Sequence, residues 1–162
     1  MKQLLFVLIL IAIALTLHPT VVQCQQLTIH TDNGKQTVLS RADIEALPHT
    51  DVKTSAAGAD STFVGVSPKA LLEKAGFAFG EAIRGKRLAS CLLVEAADGY
   101  RVVIALPEID SAFTNKQVVL AFLRDGKPLD EKEGPYRIVI PDEKRMARWV
   151  KRVTTLKIVD VQ

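Results

Sequence analysis

Gly134-Pro135-Tyr136-Arg137-Ile138-Val139-Ile140-Pro141 is the stretch of the chain that most narrows the choice of fold. The apolar run from its tyrosine onward predicts a buried strand, and the closing proline predicts the end of that strand, since proline cannot donate a ladder hydrogen bond. Just upstream, residues 117–123 predict another strand and Asp125-Gly126 predicts a reversal. These segments together predict antiparallel strands in the second half of the chain.

Further paired strands are expected toward the N-terminus and at the C-terminal end. Residues 87–96 and 100–106 are strand-like runs joined by Ala97-Asp98-Gly99, where the glycine permits a tight reversal. Asn33-Gly34 is a strong turn signal and predicts an opening hairpin made by the extended residues on either side. Residues 155–161 predict a last strand.

Short helices are expected at three places. Residues 41–47 follow a serine cap, Ser67-Pro68 begins a second helix that Gly76 ends, and residues 142–152 indicate a third. Residues 51–66 are small, polar and extended in character, without a long apolar run. The count of elements favours an α+β domain that contains a mixed, largely antiparallel sheet with a few short helices.

The N-terminus has the features of a secretory signal peptide over residues 1–24. Its apolar run, residues 4–17, is shorter than the roughly 20 residues that a membrane-spanning helix needs. Cleavage after Cys24 would leave residues 25–162 as a single domain that is exported and has no stable membrane insertion. Alternatively, Cys24 carries a lipid, although the residues before it are larger than those that normally precede such a cysteine.

The charge balance argues against a nucleic-acid partner. The chain has 21 basic and 18 acidic residues, a formal net charge of +3, which is too balanced for an electrostatic footprint on nucleic acid. Nucleophile-elbow, P-loop and Cys-x-x-Cys patterns are absent from the sequence. His30 and His49 lack the spacing of metal ligands, so no metal-ligating residues are assigned.

Cys91 lies in an apolar run and is the one cysteine that would remain after cleavage. One interpretation is an inert thiol in the core, because free cysteine is among the most buried residue types. The alternative is a metal ligand that is displaced in sequence from its usual position.

An ordered series of motifs gives the chain a family resemblance. The series consists of Asp98-Gly99-Tyr100, Val118-Val119-Leu120-Ala121-Phe122, Asp125-Gly126-Lys127-Pro128-Leu129, the Gly134–Pro141 stretch and Ala147-Arg148-Trp149-Val150-Lys151. In this order it resembles the oxidoreductase molybdopterin-binding domain of the sulfite oxidase family. The resemblance implies the same fold for roughly residues 48–160.

The resemblance also implies a molybdenum site, but this chain departs from the family there. In the family, one cysteine thiolate binds the metal beside the two sulfurs of the pterin, in a pattern like Cys-Ala-Gly-Asn. The counterpart here is Ala56-Ala57-Gly58-Ala59, so that Ala56 replaces the ligand cysteine. An alanine methyl has no lone pair, and no cysteine lies between Gln25 and Cys91.

Three residues are candidates for a site on the strength of the resemblance. Tyr100 corresponds to a catalytic tyrosine near the metal, and Arg137 and Lys151 correspond to cofactor-binding residues. For each residue, either a purely structural interpretation or a neighbouring segment argues against the assignment to a site. Tyr100 is also typical of a half-buried strand tyrosine, and the family's glycine-containing loop is here the acidic Asp142-Glu143.

Lys144, Arg148 and Lys151 lie at helical spacing. Such a basic stripe could receive an anion, or it could be a solvated helix face.

Three functional hypotheses follow. The first is an exported, periplasmic domain that has lost metal-dependent catalysis and serves as a binding or accessory module for a protein partner or a small anion, with no cofactor expected. The second is an active molybdopterin-dependent oxidoreductase of the sulfite oxidase type. The third is a structural or interaction protein whose fold converges on the same pattern. The periplasmic assignment rests on analogy with short bacterial domains.

Overall fold

The computed structural model describes residues 25–56 and 58–160. The predicted signal peptide, residues 1–24, lies outside the described residues. The strands are β1 (Leu27–His30), β2 (Gln36–Leu39), β3 (His49–Thr54), β4 (Ser61–Val66), β5 (Cys91–Ala96), β6 (Arg101–Ala105), β7 (Val119–Arg124), β8 (Lys127–Pro128), β9 (Arg137–Val139) and β10 (Val153–Val159). The two α-helices are α1 (Arg41–Glu45) and α2 (Pro68–Lys74).

The strands divide into two five-stranded sheets. The first sheet has the order β2-β1-β10-β5-β6, and the second has the order β3-β4-β7-β8, with β9 also paired to β7. Strands β1 and β10 are parallel, whereas the other pairings in the described ranges are antiparallel. The predicted α+β class with mixed, largely antiparallel pairing is confirmed, with two sheets in place of one.

Both helices begin with the caps that the sequence indicates. The Ser40 hydroxyl accepts a hydrogen bond from the Asp43 amide, and the Asp43 carboxylate accepts one from the Ser40 amide, which is a complete capping box. Helix α2 has Ser67 at its N-cap and proline in its first turn. Gly76 follows with a φ of 98°, so that the backbone reverses into the buried Phe77.

The predicted helix over residues 142–152 is wrong. In its place the structure has a single 3₁₀ turn, Met146–Arg148, flanked by irregular backbone. The side chains of this segment point to separate partners: the Trp149 indole nitrogen donates to the Ile140 carbonyl oxygen, and Arg148 binds Glu108 and Glu143. These contacts, of which the one to Glu108 spans 40 residues of the chain, outweigh the helical spacing of the basic residues.

The segment that carried the weakest sequence signal is the β3–β4 hairpin. Every residue of β3 pairs with one of β4, from His49 opposite Val66 to Thr54 opposite Ser61. His49 is the first residue of β3. Because Val52 and Phe63 are buried on this hairpin, packing across the sheet stabilises it despite its polar composition.

At one end of the second sheet, β4 begins, β7 ends and β9 begins. Phe63 lies opposite Arg124 in the β4–β7 pair, and Ala121 lies opposite Arg137 in the β7–β9 pair. These registers bring Ser61, Arg124 and Arg137 to one end of the sheet. No helix in the described ranges is long and apolar enough to cross a membrane.

Close backbone contact between β4 and β7 depends on Gly65. The register between these strands shifts between Val64 and Gly65. A Cβ atom on Gly65 would lie 2.2 Å from the Leu120 carbonyl oxygen and 2.6 Å from the Ala121 Cα. Both contacts are with backbone, which cannot rotate away.

We therefore predict that Gly65→Ala lowers the free energy of unfolding by about 2–3 kcal/mol, because strand β7 must shift to admit the methyl group. Urea unfolding followed by circular dichroism measures the change. Thr62→Ala on the same strand is the control and should cost less than about 1 kcal/mol. A Gly65→Ala variant as stable as the wild type would contradict the close approach of β4 to β7.

Candidate functional site

Three basic side chains meet around one carboxylate at the end of the second sheet. The carboxylate is Glu133, in the connection between β8 and β9. Its Oε1 atom lies 2.6 Å from Arg137 Nη1 and 3.4 Å from Lys151 Nζ, and its Oε2 atom lies 3.8 Å from Arg124 Nη1. We call Arg124, Arg137 and Lys151 the cationic cluster. Arg124 Nε also lies 3.7 Å from Asp125 Oδ2, so that three cations face two carboxylates and an excess of one positive charge remains.

Arg137 is the buried member of the cationic cluster. Its side chain is 6% exposed, and its guanidinium carbon lies 5.5 Å from the centre of the Phe63 ring and 5.4 Å from that of Trp149. The Nη1 atom donates to Glu133, but the buried Nε atom has no hydrogen-bond acceptor among the described residues. Leaving a buried donor without a partner costs about 1–3 kcal/mol of folding free energy. This guanidinium therefore has a donor that an added acceptor would satisfy.

Arg124 and Lys151 approach the same carboxylate from the solvent side. Arg124, the last residue of β7, donates from Nε and Nη2 to the Ser61 hydroxyl, which orients its guanidinium plane. Lys151 is half exposed and follows the 3₁₀ turn that precedes β10. The cationic cluster therefore runs from a buried arginine to an accessible lysine.

Two adjoining cavities lie against the cationic cluster. One has a volume of about 150 Å³ and the other about 310 Å³, and both are lined by Arg137, Met146, Trp149 and Lys151. Arg124, Ser61 and Glu133 line the smaller cavity, whereas Tyr100 lines the larger. The structure thus brings together all three residues that the sequence singled out, Tyr100, Arg137 and Lys151.

Tyr100 lies at the rim of this site with half of its surface exposed. Its hydroxyl donates to the Ala147 carbonyl oxygen at 2.7 Å, which ties β6 to the 3₁₀ turn. Asp98 accepts a hydrogen bond from the Tyr100 amide, which stabilises the turn between β5 and β6. The tyrosine lies beside the cavity, but its hydroxyl hydrogen is already donated to a backbone carbonyl oxygen.

A third cavity of about 660 Å³ continues past Thr54 and Ser61, which also line the smallest cavity. Ala56 and the 141–144 loop lie on its wall. Its charged residues are mainly acidic: Asp60, Asp125, Asp142 and Glu143 against Lys53 and Lys144. The described part of the site is therefore positive at the cationic cluster and negative where Ala56 lies.

Glu143 does not act as a free negative charge. Arg148 donates to it from Nε at 2.7 Å, and the same guanidinium donates from Nη1 and Nη2 to the two oxygens of Glu108 at 3.2 Å each. Lys116 donates to Glu108 Oε2 at 2.7 Å. Two bases balance two acids in this network, which fastens the loop that bears Met146 against the 3₁₀ turn Leu106–Ile109.

The same network explains the acidity of Glu108. Partial burial alone would raise the pKa of Glu108, but hydrogen bonds from Arg148, Lys116 and the Ala105 amide outweigh it and lower the pKa to about 2. The hydrogen bond to Glu108 likewise raises the pKa of Arg148. The predicted basic stripe is therefore wrong, because Arg148 is neutralised within this network and the stripe has no helix.

Cys91 is not part of this site. It is buried on β5 in the first sheet, paired with Val159 and Ala105, and it lines none of the three cavities. Burial raises the pKa of its thiol, and the nearby Asp160 adds to the effect, so that the thiolate needed by a metal is disfavoured. The described part of the chain contains no group of three or more histidine, cysteine or acidic residues suited to a metal ion.

Sequence reasoning missed Arg124, Ser61 and Glu133. The contact between Ser61 and Arg124 joins residues that are 63 positions apart in the chain. Local spacing cannot reveal such contacts. The one available signal was Arg124 at the end of a strand before Asp125-Gly126, which places a basic side chain at the sheet end.

The residues of this site suit the anionic end of a molybdopterin differently from its metal-binding end. The cationic cluster, with its excess positive charge and the unpartnered Nε of Arg137, suits an anionic group such as a phosphate. The described walls of the three cavities offer no thiolate to a metal. The residues present therefore fit the anion and do not fit a protein-bound molybdenum.

One solved structure with a similar fold is the sulfane dehydrogenase SoxCD from Paracoccus pantotrophus. The TM-score is 0.65 with 24% sequence identity, and the match covers 84% of this chain and 38% of that chain. At this identity the likeness concerns the fold. No curated protein sequence matches the chain.

The two sheets and their cavities define an α+β domain of the sulfite oxidase-like, molybdopterin-binding type. The sequence pattern of the oxidoreductase molybdopterin binding domain matches residues 18–162, and the chain belongs to this family.

The Glu108 network predicts a specific pH dependence. Because the pKa of Glu108 is lowered from 4.5 to about 2 in the folded protein, its stabilising contribution is complete above pH 4.5. That contribution is lost as the pH falls from about 4.5 through about 2. Glu108→Gln should cost about 1 kcal/mol at pH 7, and the difference from the wild type should shrink on acidification.

Urea unfolding of both proteins at pH 7, 4 and 3 measures this difference. Glu131→Gln, at an exposed site, is the control that removes one carboxylate outside the network. A stability difference that stays constant over this range would show that the network does not hold Glu108 ionised.

Proposed function

We propose that this protein is an exported, periplasmic binding module that uses the molybdopterin-binding fold to hold an anion and does not carry out metal-dependent catalysis. The observation that carries the proposal is the convergence of Arg124, Arg137 and Lys151 on a single carboxylate beside open cavities. The site offers more positive charge than its own residues neutralise.

The binding chemistry follows from how each cation is presented. Arg137 offers a planar fork whose position is fixed by Phe63 and Trp149, so that little conformational entropy is lost when an anion binds. Lys151 adds a mobile charge at the entrance. Partial exclusion of water strengthens these attractions relative to an exposed pair.

The absence of metal-dependent catalysis is proposed from the residues near the third cavity. Ala56 is the proposed counterpart of the family's ligand cysteine, and it lies on the wall of that cavity with an alanine side chain. Cys91 lies in the other sheet with a raised thiol pKa. Neither residue offers a thiolate to a metal placed near the cationic cluster.

The alternative is an active molybdopterin-dependent oxidoreductase. Family membership and the fit of the cationic cluster to a phosphate favour it. In that case Arg137 and Lys151 would hold the anionic end of the cofactor. Tyr100 would supply a proton only after its hydroxyl leaves the Ala147 carbonyl oxygen.

Metal content separates the two proposals. We expect protein exported from a host that makes the cofactor to be folded and to contain no more molybdenum than an unrelated exported control, because no cysteine is available at the site. Elemental analysis combined with pterin fluorescence measures this. One molybdenum per chain would establish the oxidoreductase alternative, and pterin without molybdenum would identify a cofactor-binding module without a metal.

Anion binding tests the cationic cluster itself. We expect Lys151→Gln to weaken the binding of inorganic sulfate about tenfold at low ionic strength, since one charge-assisted contact is worth about 1.4 kcal/mol. Lys53→Gln is the matched control, because Lys53 is an exposed lysine on the acidic cavity of about 660 Å³. Isothermal titration of both variants measures the effect, and equal losses would point to net charge instead of a defined site.

A further inference from the structure

Glu133 occupies the position that an anionic ligand would need. Its carboxylate faces all three members of the cationic cluster, and its side chain is only 14% exposed. Its two oxygens are divided among them: Oε1 faces Arg137 and Lys151, and Oε2 faces Arg124. The cationic cluster thus already holds an anion that belongs to the chain itself.

From this geometry we infer that Glu133 is a resident counter-ion that sets the specificity of the site by excluding singly charged anions. The inference rests on the proposed anion-binding function. A singly charged anion that takes the place of the carboxylate only exchanges one negative charge for another. A doubly charged anion in the place of the carboxylate brings one more negative charge, which neutralises the positive charge that Glu133 and Asp125 leave unbalanced.

The backbone keeps Glu133 next to the cationic cluster. The Asp130 side chain accepts hydrogen bonds from the amides of Lys132 and Glu133, which closes a tight turn. The Glu133 carbonyl oxygen accepts a hydrogen bond from the Arg152 amide, next to Lys151. Because this turn is held at both ends, only rotation of the side chain can free the site, and the carboxylate remains close by to compete for it.

This closeness gives Glu133 the advantage of a tethered ligand. A group held on a short tether has an effective concentration in the millimolar range or above, so that a free anion must bind better than the carboxylate to replace it. Weakly binding singly charged ions fail this condition. The carboxylate leaves the Nε donor of Arg137 without an acceptor. A second anion could accept from this donor once the side chains rearrange around it.

A purely structural role for Glu133 makes a different prediction. If the carboxylate only neutralised the buried Arg137, its removal would disorder the guanidinium and weaken anion binding. If Glu133 competes with the ligand, its removal strengthens binding. The direction of the change therefore distinguishes the two roles.

The test uses sulfate and perchlorate, two tetrahedral anions that differ in charge. Isothermal titration at constant low ionic strength compares the wild type with Glu133→Gln, which removes the charge and keeps an oxygen that can accept from Arg137. We expect the wild type to bind sulfate and not perchlorate, and Glu133→Gln to bind sulfate about tenfold tighter and perchlorate measurably. Glu131→Gln, on the same turn but exposed, makes the same change in net charge and should behave as the wild type.

One further variant and one further measurement keep the inference testable. Glu133→Asp keeps the charge and should keep perchlorate out. The rise in melting temperature caused by each anion gives a second measure of binding, which is usable if Glu133→Gln is only marginally stable.

The outcomes separate the inference from the proposed function. Unchanged or weaker binding of both anions by Glu133→Gln, with sulfate still bound by the wild type, overturns the role of Glu133 and leaves the anion site standing. If neither the wild type nor Glu133→Gln binds sulfate, the proposed function fails and the inference fails with it.

Discussion

The guanidinium of Arg137 is buried where β4 begins, β7 ends and β9 begins, and a buried charge costs several kcal/mol unless partners are close. Glu133 supplies the opposite charge, and the rings of Phe63 and Trp149 supply two π faces. These partners come from three different segments. The fold must therefore bring the second sheet, the turn before β9 and the loop before β10 together before this charge can be buried at a tolerable cost.

The requirement extends from the arginine to the walls of the site. The 141–148 loop places Trp149 against Arg137, and three contacts hold this loop: the indole nitrogen donates to the Ile140 carbonyl oxygen, Arg148 joins the network with Glu108, and the Tyr100 hydroxyl donates to the Ala147 carbonyl oxygen. The same loop places Met146 beside the cavities. A polar network some distance from the cationic cluster thus determines the shape of the pocket in front of it.

How much of this arrangement the sequence could predict depends on the range of the interactions. The serine cap of α1 and the turn at Asp125-Gly126 are local, and both were predicted correctly. Residues 142–152 were predicted as a helix because their local spacing allows one, but contacts to Ile140, Glu108 and Glu143 determine their backbone. Local preference is a weak guide where long-range hydrogen bonds compete with it.

The candidate site shows the same division. Tyr100, Arg137 and Lys151 were selected from the family resemblance, and the structure places them around adjoining cavities. Glu133 was not selected, because nothing in a polar turn indicates that its carboxylate will face three cations. Such convergence arises only when the strands pair in register, which a linear pattern does not encode.

Packing also explains why the fold would tolerate alanine at the proposed position of the ligand cysteine. Ala56 is exposed, in the connection between β3 and β4, where a change from cysteine to alanine leaves no cavity in the core. Arg137 is different, since it is buried among residues that also form the core of the second sheet. Loss of a ligand at an exposed connection costs the fold little, whereas loss of the arginine would leave Glu133 without its closest partner. On this reasoning the cationic cluster is tied to the stability of the domain, and the connection that bears Ala56 is not.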